Sequence, residues 1–199
     1  MSYMSKSSNV SNMSNVSTNI KGLKIIRNFI TRNEEIELLN IMKNIEWNGT
    51  LLRKSRHFGY NYNYKTKTIT KDDYIGNLPE WSEKYISRML KNDLINKYPN
   101  QITVNRYLPG EGIAAHIDVP DIFDNDLYSI SLGSGCNIIL ESEYKKEEYY
   151  IEPRTFMLFR DQARYEYTHC IKRLKYDIIG DREVQRNTRY SVTFRNVLL

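Results

Sequence analysis

The sequence predicts a mainly β domain with flanking helices, of the α+β class, on two observations. After Pro99 the chain falls into short runs rich in β-branched and aromatic residues, separated by Gly and Pro. Many short strands of this kind are typical of a β-sandwich, a jelly roll or a barrel. Before Pro99, apolar residues recur at helical spacing in two segments. We therefore expect a β-core that helices cover on one side.

The predicted elements follow one another without an evident linker. The run GLKIIRNFI, residues 22–30, predicts a strand, and Thr31 with Glu34 three positions later has the spacing of a capping box. A helix is therefore predicted near residues 32–45. A second helix is predicted to begin at Pro79, a favoured first-turn residue, with these side chains buried: Trp81, Tyr85, Met89 and Leu90. The later strands are predicted within the runs QITVNRY, LYSISLG, CNIILES, YYIEPRTFMLF, ARYEYTH and RYSVTFRNVL.

Length and composition indicate one soluble domain. The chain has 199 residues, and its first twenty are mostly Ser and Asn, so residues 1–20 are predicted to form a disordered tail. Residues 21–199 form the predicted domain, with the helices within 21–100 and the β-core within 101–199. No apolar run has the length of a signal peptide or a membrane span, and two cysteines suit a reducing compartment. We expect an intracellular protein of the cytoplasm or nucleus, without a membrane partner.

One pair of residues suggests a metal site. His116, one of three histidines, lies two residues before Asp118 in GEGIAAHIDVPDIF. On a strand this spacing puts both side chains on one face, where they could bind one metal ion. The pair alone is a weak signal, because chance produces such triplets and a histidine in a β-protein is more often a hydrogen-bonded structural residue. His169, near the end of a later predicted strand, could be a third ligand. Two histidines and one carboxylate form the facial arrangement of non-haem Fe(II) oxygenases.

The last predicted strand, RYSVTFR at residues 189–195, has apolar residues at alternate positions. If these face outward under the helices, the residues between them face the interior of the β-core: Arg189, Ser191, Thr193 and Arg195. Two buried guanidinium groups are costly unless anions satisfy them. Protein carboxylates are one source of those anions, and a dicarboxylate ligand held by bidentate contacts is another. Asn105 and Tyr107, on one face of NRY, would add uncharged hydrogen bonds.

The combined motif has a specific order. N-x-Y, a Gly-rich turn, H-x-D, a distant His and R-x-S-x-T-F-R together resemble the AlkB family of Fe(II)/2-oxoglutarate dioxygenases. The resemblance extends from about residue 22 to the end, and it is strongest toward the dioxygenase domain of the members that hydroxylate modified wobble uridine in tRNA. It is carried by the segments RHFGYNYNY, NLPE, TVNRYLPGEGI, HIDVPDIF, YSISLGSG, ARYEYTH and RYSVTFR.

The resemblance implies a double-stranded β-helix, or jelly roll, that uses Fe(II), 2-oxoglutarate and O2. It implies that the catalytic metal ligands are His116, Asp118 and His169. It also implies that Arg189 pairs with the distal carboxylate of 2-oxoglutarate. The other residues implied to hold this cosubstrate are Asn105, Tyr107, Ser191 and Arg195.

A basic and aromatic segment, RKSRHFGYNYNYKTKT at residues 53–68, suggests where a substrate binds in a chain of net charge +5 and pI near 9.0. Its aromatic residues alternate, so a strand would align them on one face: Phe58, Tyr60, Tyr62 and Tyr64. That face is either the aromatic core face of an edge strand or a stacking surface for an unpaired nucleotide. The resemblance favours a lid over a target base and implies this substrate side: Arg56, His57, Phe58, Tyr60 and Arg164.

The preferred function is hydroxylation of a modified wobble uridine in tRNA. The alternatives are N-alkyl demethylation of DNA or RNA and a catalytically silent nucleic-acid-binding module, and a protein substrate stays open because a fold does not choose its substrate. Pro120 stands where several base-repair members of the family carry an acid, which argues against ordinary alkyl-adduct repair. The animal wobble-uridine enzyme also carries an RNA-recognition module and a methyltransferase domain, for which this chain has no room. We therefore expect a partner to supply RNA recognition.

Overall fold

Antiparallel strands form the core of the structure, a computed structural model that describes residues 12–47 and 53–199. The first seven strands of these ranges are β1 (Ser14–Val16), β2 (Leu23–Arg27), β3 (Lys54–Tyr60), β4 (Tyr74–Gly76), β5 (Gln101–Tyr107), β6 (Ile113–His116) and β7 (Leu127–Gly133). The next seven are β8 (Cys136–Glu141), β9 (Lys146–Ile151), β10 (Phe156–Phe159), β11 (Thr168–Ile171), β12 (Tyr176–Ile179), β13 (Arg182–Gln185) and β14 (Arg189–Arg195). The helices are α1 (Arg32–Lys43), α2 (Glu83–Lys91) and α3 (Asp161–Tyr165).

The strands form two sheets and a hairpin. The larger sheet has the order β1-β2-β10-β7-β14-β5-β3-β4, the smaller sheet has the order β6-β11-β8-β9, and β12 forms a hairpin with β13. The pairings between these strands are antiparallel. This arrangement confirms the predicted mainly β jelly roll with flanking helices.

Apolar side chains fill the space on both faces of the larger sheet. On one face, Met42 of α1 and Tyr85 of α2 pack in one cluster with Val192 of β14. On the other face, Met157 of the larger sheet and Leu140 of the smaller sheet belong to a second cluster between the two sheets. The apolar residues of RYSVTFR therefore face the helices, as predicted, and the polar residues of β14 face the smaller sheet.

Both predicted helices are present. Thr31 caps α1 through a complete capping box: the Glu34 amide donates to Thr31 Oγ1 at 3.2 Å, and the Thr31 amide donates to Glu34 Oε2 at 2.8 Å. The second helix is α-helical only from Glu83, because residues Glu80–Ser82 form a 3₁₀ turn after Pro79. Of its predicted core residues, Tyr85 and Met89 are fully buried and Trp81 and Leu90 are partly buried against the same cluster.

The predicted strands need two corrections. The run YYIEPRTFMLF is not one strand, because a turn at Pro153 and Arg154, where φ is 66°, separates β9 from β10. In ARYEYTH the strand begins only at Thr168, because residues 163–165 belong to the helix α3 and Glu166 and Tyr167 connect it to the strand. The alternating aromatic residues of ARYEYTH favoured a strand, but β-propensity depends on the packing context, and in this fold the first part of the run is helical.

The prediction of a disordered tail over residues 1–20 is wrong for its last part. Strand β1 pairs with β2, Val16 is partly buried, and Ile20 lies in the cluster between the sheets. The Thr18 hydroxyl also donates to the Leu23 carbonyl at 2.9 Å. The unpaired edge of β2 offers backbone partners to this segment, and two apolar side chains are enough to hold it there. Residues 1–11 lie outside the described residues.

A buried ion pair fixes the β12–β13 hairpin. Arg186 donates from Nε and Nη2 to the two carboxylate oxygens of Asp177, at 2.6 Å each, and from Nη1 to the Lys172 carbonyl at 2.8 Å. Asp177 also accepts from the Asn137 amide of β8 at 3.1 Å. The pair therefore attaches the hairpin to the smaller sheet.

Among the described residues, no helix is long and apolar enough to cross a membrane.

Removing one partner of this pair is expected to destabilise the protein strongly. Asp177→Ala leaves Arg186 buried without its carboxylate, which lowers the free energy of unfolding by about 3 kcal/mol. Glu152→Ala is a matched control, because it breaks a half-exposed ion pair with Arg27 and costs less than about 1 kcal/mol. Urea unfolding midpoints measure both changes. Equal midpoints for the two variants would contradict the structural role of the buried pair.

Candidate metal centre

The three predicted metal ligands lie close together between the two sheets. The ligand atoms of His116, Asp118 and His169 all lie within 4.8 Å of one another. His116 ends β6 and stands opposite His169 of β11 in the antiparallel register. Asp118 follows two residues after the end of β6, and its Oδ1 lies 3.3 Å from His116 Nε2. The pairing of β6 with β11 is therefore what brings distant parts of the chain to one point.

The protonation states of the cluster suit a cation. His116 Nδ1 donates to the Ala114 carbonyl at 2.8 Å, which leaves Nε2 of the neutral ring free as a ligand. Burial lowers the pKa of His169 to about 4, and the neighbouring His116 acts in the same direction. Burial alone would raise the pKa of Asp118, but Arg195 and the two histidines outweigh it and hold that pKa well below its usual range. The cluster thus presents the neutral imidazole of His169 and the ionised carboxylate of Asp118 near pH 7, beside the His116 ring.

Arg195 fixes the carboxylate of this cluster. Its Nε and Nη2 each lie 2.8 Å from Asp118 Oδ2. Its Nη1 donates to Thr103 Oγ1 at 3.0 Å and to Gln101 Oε1 at 3.3 Å. The sequence suggested that Arg195 holds a cosubstrate, whereas in the structure its donors go to protein groups. Of the two anion sources left open for the inward arginines, a protein carboxylate therefore serves Arg195.

Arg189 differs from Arg195. Its side chain is buried, its Nε donates to Ser131 Oγ at 3.1 Å, and its guanidinium lies 5.5 Å from the centre of the Tyr107 ring. Its Nη1 is buried and has no hydrogen-bond partner, and no carboxylate pairs with it, among residues 12–47 and 53–199. A buried cation with an unpaired donor is costly, so Arg189 is the candidate among the inward arginines for contact with an anionic ligand.

An inner cavity of about 80 Å³ adjoins Arg189. We define it by the predicted cosubstrate residues that line it: Asn105, Tyr107, Arg189, Ser191 and Arg195. The Oδ1 atom of Asn105 is also buried without a partner among the described residues. The three candidate ligands line the same cavity, so an anion held by Arg189 would lie beside a metal ion.

An outer cavity of about 290 Å³ lies on the other side of the cluster. We define it by six of the residues that line it but do not line the inner cavity: Arg53, His57, Tyr62, Tyr64, Lys67 and Phe123. His116, Asp118 and Arg195 line both cavities, so the candidate metal centre stands between them. The arrangement offers one compartment for a small anion and a larger one for a second molecule.

The predicted alignment of four aromatic residues on one face is wrong. Gly59 has φ 79°, a side chain there would meet the Asn100 carbonyl, and the pairing of β3 with β4 shifts register after it. Phe58 therefore packs edge-on against Trp81 on the helix side, while Tyr60 packs against Tyr74. The residues beyond the irregularity reach the outer cavity: Tyr62 and Tyr64.

Five residues were predicted on the substrate side, and one of them, His57, lines the outer cavity as the described residues form it. Arg56 lies beside Phe58, with its guanidinium 5.8 Å from the ring centre. Arg164 is buried and donates to the carbonyls of Asp118 at 2.6 Å and Phe123 at 3.2 Å. Helix α3 turns Arg164 into the domain, where it holds the loop after Asp118 instead of facing a substrate.

The sequence analysis missed the partners of His57. Its Nδ1 lies 3.0 Å from Thr103 Oγ1 and 3.3 Å from Gln101 Nε2, and both partners lie on the face of β5 that carries Asn105. Burial lowers the pKa of His57 to about 4, with Arg195 and Arg53 acting in the same direction. The alternation of QITVNRY already placed Gln101 and Thr103 beside Asn105, so a period-two analysis of that run would have found them.

A jelly roll that holds two histidines and a carboxylate between its sheets defines a non-haem iron oxygenase. The family model of the 2OG-Fe(II) oxygenase superfamily matches residues 24–195, and the chain belongs to this family. Its cofactor is Fe(II) and its cosubstrates are 2-oxoglutarate and O2. The family and the geometry agree, since the matched range contains both cavities and the candidate ligands.

The relatives include proteins of AlkB type. The chain is 35% identical over 189 residues to the uncharacterized protein L905 of Acanthamoeba polyphaga mimivirus, covering 90% of this chain and 87% of that protein. It is 31% identical over 203 residues to the tRNA (carboxymethyluridine(34)-5-O)-methyltransferase ALKBH8 of Mus musculus, covering 88% of this chain but 30% of the mouse protein. The solved structure of OsALKBH1 shares the fold, with a TM-score of 0.70 and 15% identity over 92% of this chain and 100% of that one.

The neutral state of His57 has a consequence for stability. The unfolded chain binds a proton at His57 near pH 6.5 and the folded chain near pH 4. Between these values the unfolded state holds more protons, so stability is full above pH 6.5 and falls as the pH drops toward 4. From pH 7 to 4.5 the loss through His57 is about 2 to 3 kcal/mol.

Urea unfolding of metal-free protein at several pH values measures this loss. His57→Gln removes the titrating group, so its stability is expected to fall less steeply than that of the wild type over the same range. His169 titrates in both proteins, and its contribution cancels in the comparison. Parallel stability curves for the two proteins would show that His57 is not held neutral.

Proposed function

We propose that this protein is an Fe(II)/2-oxoglutarate-dependent dioxygenase that oxidises a modified nucleobase in nucleic acid. The specific reaction that we propose is hydroxylation of a modified wobble uridine in tRNA. One observation carries the proposal: the buried Arg189, which has an unpaired donor, lies on a small cavity beside two histidines and a carboxylate. That arrangement suits a metal ion together with an anionic cosubstrate.

The residues present fit both groups. His116, Asp118 and His169 would hold Fe(II), since neutral imidazoles and a carboxylate are suitable ligands for it. Arg189 would receive a carboxylate of 2-oxoglutarate, with Ser191, Asn105 and Tyr107 around it. When bound, iron with 2-oxoglutarate and O2 supplies oxidation of a substrate C–H bond, and the cosubstrate is converted to succinate and carbon dioxide.

The protein's own side chains position the reaction. Arg195 and the backbone contact from Arg164 hold Asp118 from two sides, so its carboxylate keeps a fixed direction. The inner cavity is otherwise lined largely by apolar residues such as Leu127 and Phe159, which limit the access of water. The outer cavity is the remaining approach to the ligands, and we assign it to the substrate.

The outer cavity has the chemistry of a nucleotide site. Tyr62 and Tyr64 offer aromatic faces for an unpaired base, and Arg53 and Lys67 offer charges for phosphates. The name of the mouse relative refers to a carboxymethyluridine of tRNA, which supports tRNA over DNA as the proposed substrate. Because the chain spans 30% of that protein, we also propose that RNA recognition beyond the target base comes from a partner.

Turnover of 2-oxoglutarate tests the proposed reaction. Succinate formation with Fe(II) is expected to rise when bulk tRNA is added and to vanish in Asp118→Ala, because that variant lacks the carboxylate ligand. Turnover that tRNA does not stimulate would keep the oxygenase and exclude tRNA. No turnover with iron loaded would favour a silent binding module. Among active outcomes, released formaldehyde indicates N-demethylation and a stable hydroxylated nucleoside indicates hydroxylation.

Binding of 2-oxoglutarate tests the role of Arg189. Arg189→Met is expected to weaken binding to the Ni(II)-loaded protein about 10- to 100-fold, because a charge-assisted hydrogen bond to a carboxylate is lost. Arg160→Met is the control, since Arg160 pairs with Asp126 away from both cavities. Titration calorimetry gives both affinities.

A folding readout separates lost binding from lost structure in the same variant. Arg189 is buried without an anion, so Arg189→Met in the ligand-free protein is expected to unfold at the same or a higher temperature than the wild type. Unchanged 2-oxoglutarate affinity in Arg189→Met would contradict the assignment of the inner cavity.

A further inference from the structure

The hydrogen bonds around His57 determine which ring nitrogen carries its proton. Thr103 Oγ1 accepts from Arg195 Nη1 at 3.0 Å and from Gln101 Nε2 at 3.1 Å. Its own hydrogen is therefore directed to His57 Nδ1, 3.0 Å away. Gln101 Nε2 also approaches Nδ1, at 3.3 Å. Since Nδ1 accepts, the neutral ring carries its proton on Nε2.

The Nε2–H group of His57 is a hydrogen-bond donor without an acceptor among the described residues. Only 7% of His57 is exposed, and Nε2 is buried with no hydrogen-bond partner among residues 12–47 and 53–199. A buried donor without a partner costs free energy, and Thr103 and Gln101 fix the ring so that it cannot turn to find one. The side chain lines the outer cavity beside the candidate metal centre.

Tyr64 covers the ring of His57. The two ring centres lie 5.6 Å apart, and the Arg53 guanidinium lies 5.7 Å from the Tyr64 ring centre on the cavity wall. Tyr64 is 38% exposed and belongs to a turn closed by the bridge between Asn63 and Thr68. Tyr64 therefore belongs to a turn and not to the strand that carries His57, and it borders the approach from the outer cavity to the His57 ring.

The charges of the outer cavity restrict what can enter. Its lining includes three cations, Arg53, Lys67 and Arg195, and one carboxylate, Asp118, which Arg195 already engages. His57 adds a neutral donor because it does not carry a charge near pH 7. A positively charged base would meet like charges and donors, whereas a neutral or acidic base with exposed carbonyl oxygens would meet complementary groups.

We propose that His57 is a specificity-determining residue whose Nε2–H donates a hydrogen bond to a carbonyl oxygen of the target base. The site then takes a uracil-type base, neutral or with an acidic substituent, and rejects cationic alkylated adenine. This inference rests on the proposed function, because it assigns the outer cavity to a nucleobase. It adds no chemical step, since His57 binds the base and exchanges no proton with it.

Binding of matched RNA probes tests the proposal. The protein is loaded with Ni(II) and 2-oxoglutarate, which hold the site without turnover. Fluorescence anisotropy then measures RNA stem-loops of one sequence that differ at a single unpaired base: uridine, 5-carboxymethyluridine, 2-thiouridine, 4-thiouridine or N1-methyladenosine. The wild type is expected to bind the uridine and carboxymethyluridine probes roughly five- to tenfold more tightly than the methyladenosine probe.

The variants locate the preference. His57→Phe is expected to reduce this preference severalfold, because the uridine and carboxymethyluridine probes bind more weakly, and to bind methyladenosine as the wild type does. Phe58→Leu is the control, since Phe58 lies on the opposite side of β3 against Trp81, and it is expected to keep the preference. The thio probes test the contact without changing the protein, because sulfur is a weaker acceptor: one of the two should bind the wild type more weakly than uridine and bind His57→Phe equally.

Two results would overturn the proposal: equal or tighter binding of methyladenosine by the wild type, or a His57→Phe variant that weakens every probe by the same factor. The second result would assign the donor to a phosphate, which all probes share. Failure of the proposed function shows separately, as absence of RNA-stimulated succinate formation with any base, and leaves the binding preference to be judged by itself.

Discussion

The contact of Arg195 with Asp118 ties the two sheets of this jelly roll together at the candidate metal centre. Arg195 ends the central strand of the larger sheet, and Asp118 follows the edge strand of the smaller sheet. Arg164 holds the backbone of Asp118 from the opposite side. Arg164 is buried and the side chain of Arg195 is only 11% exposed, so both contacts restrict the position of the carboxylate. The inner cavity, the outer cavity and the wall between them all depend on that position.

Sequence reasoning succeeded where periodicity alone decides the outcome. The alternation of β14 placed Arg189 and Arg195 inside, and the capping box at Thr31 fixed the start of α1. It failed where one residue breaks the period: Gly59 changes the direction of the chain and separates Phe58 from the tyrosines that follow. It also failed for Arg164, since the direction of a side chain on the short α3 depends on tertiary packing. The partner of Arg195 is the Asp118 carboxylate, and the spacing of residues in the sequence does not indicate which anion an inward arginine will pair with.

Unsatisfied polar atoms mark both cavities. The atoms that line them without a hydrogen-bond partner among the described residues are Arg53 Nε, His57 Nε2, Asn105 Oδ1 and Arg189 Nη1. Each one lowers the stability of the protein, because a buried polar group without a hydrogen bond costs free energy. Under the proposed function, ligands in the two cavities would supply the missing partners, whereas the ion pair of Asp177 with Arg186 completes its hydrogen bonds within the chain.

If His116 binds iron as proposed, its place at the end of β6 also gives the metal a part in the stability of the sheet. Strand β6 lies at the edge of the smaller sheet and pairs with β11 on one side only within the described chain. Such an edge opens more readily than a central strand, and its amide protons exchange sooner with solvent. Under the proposed function, a metal ion held by His116 and His169 would link these two strands, so the ion used for the reaction would also stabilise the edge of the sheet. Iron supply would then set how long the folded protein survives as well as how fast it works.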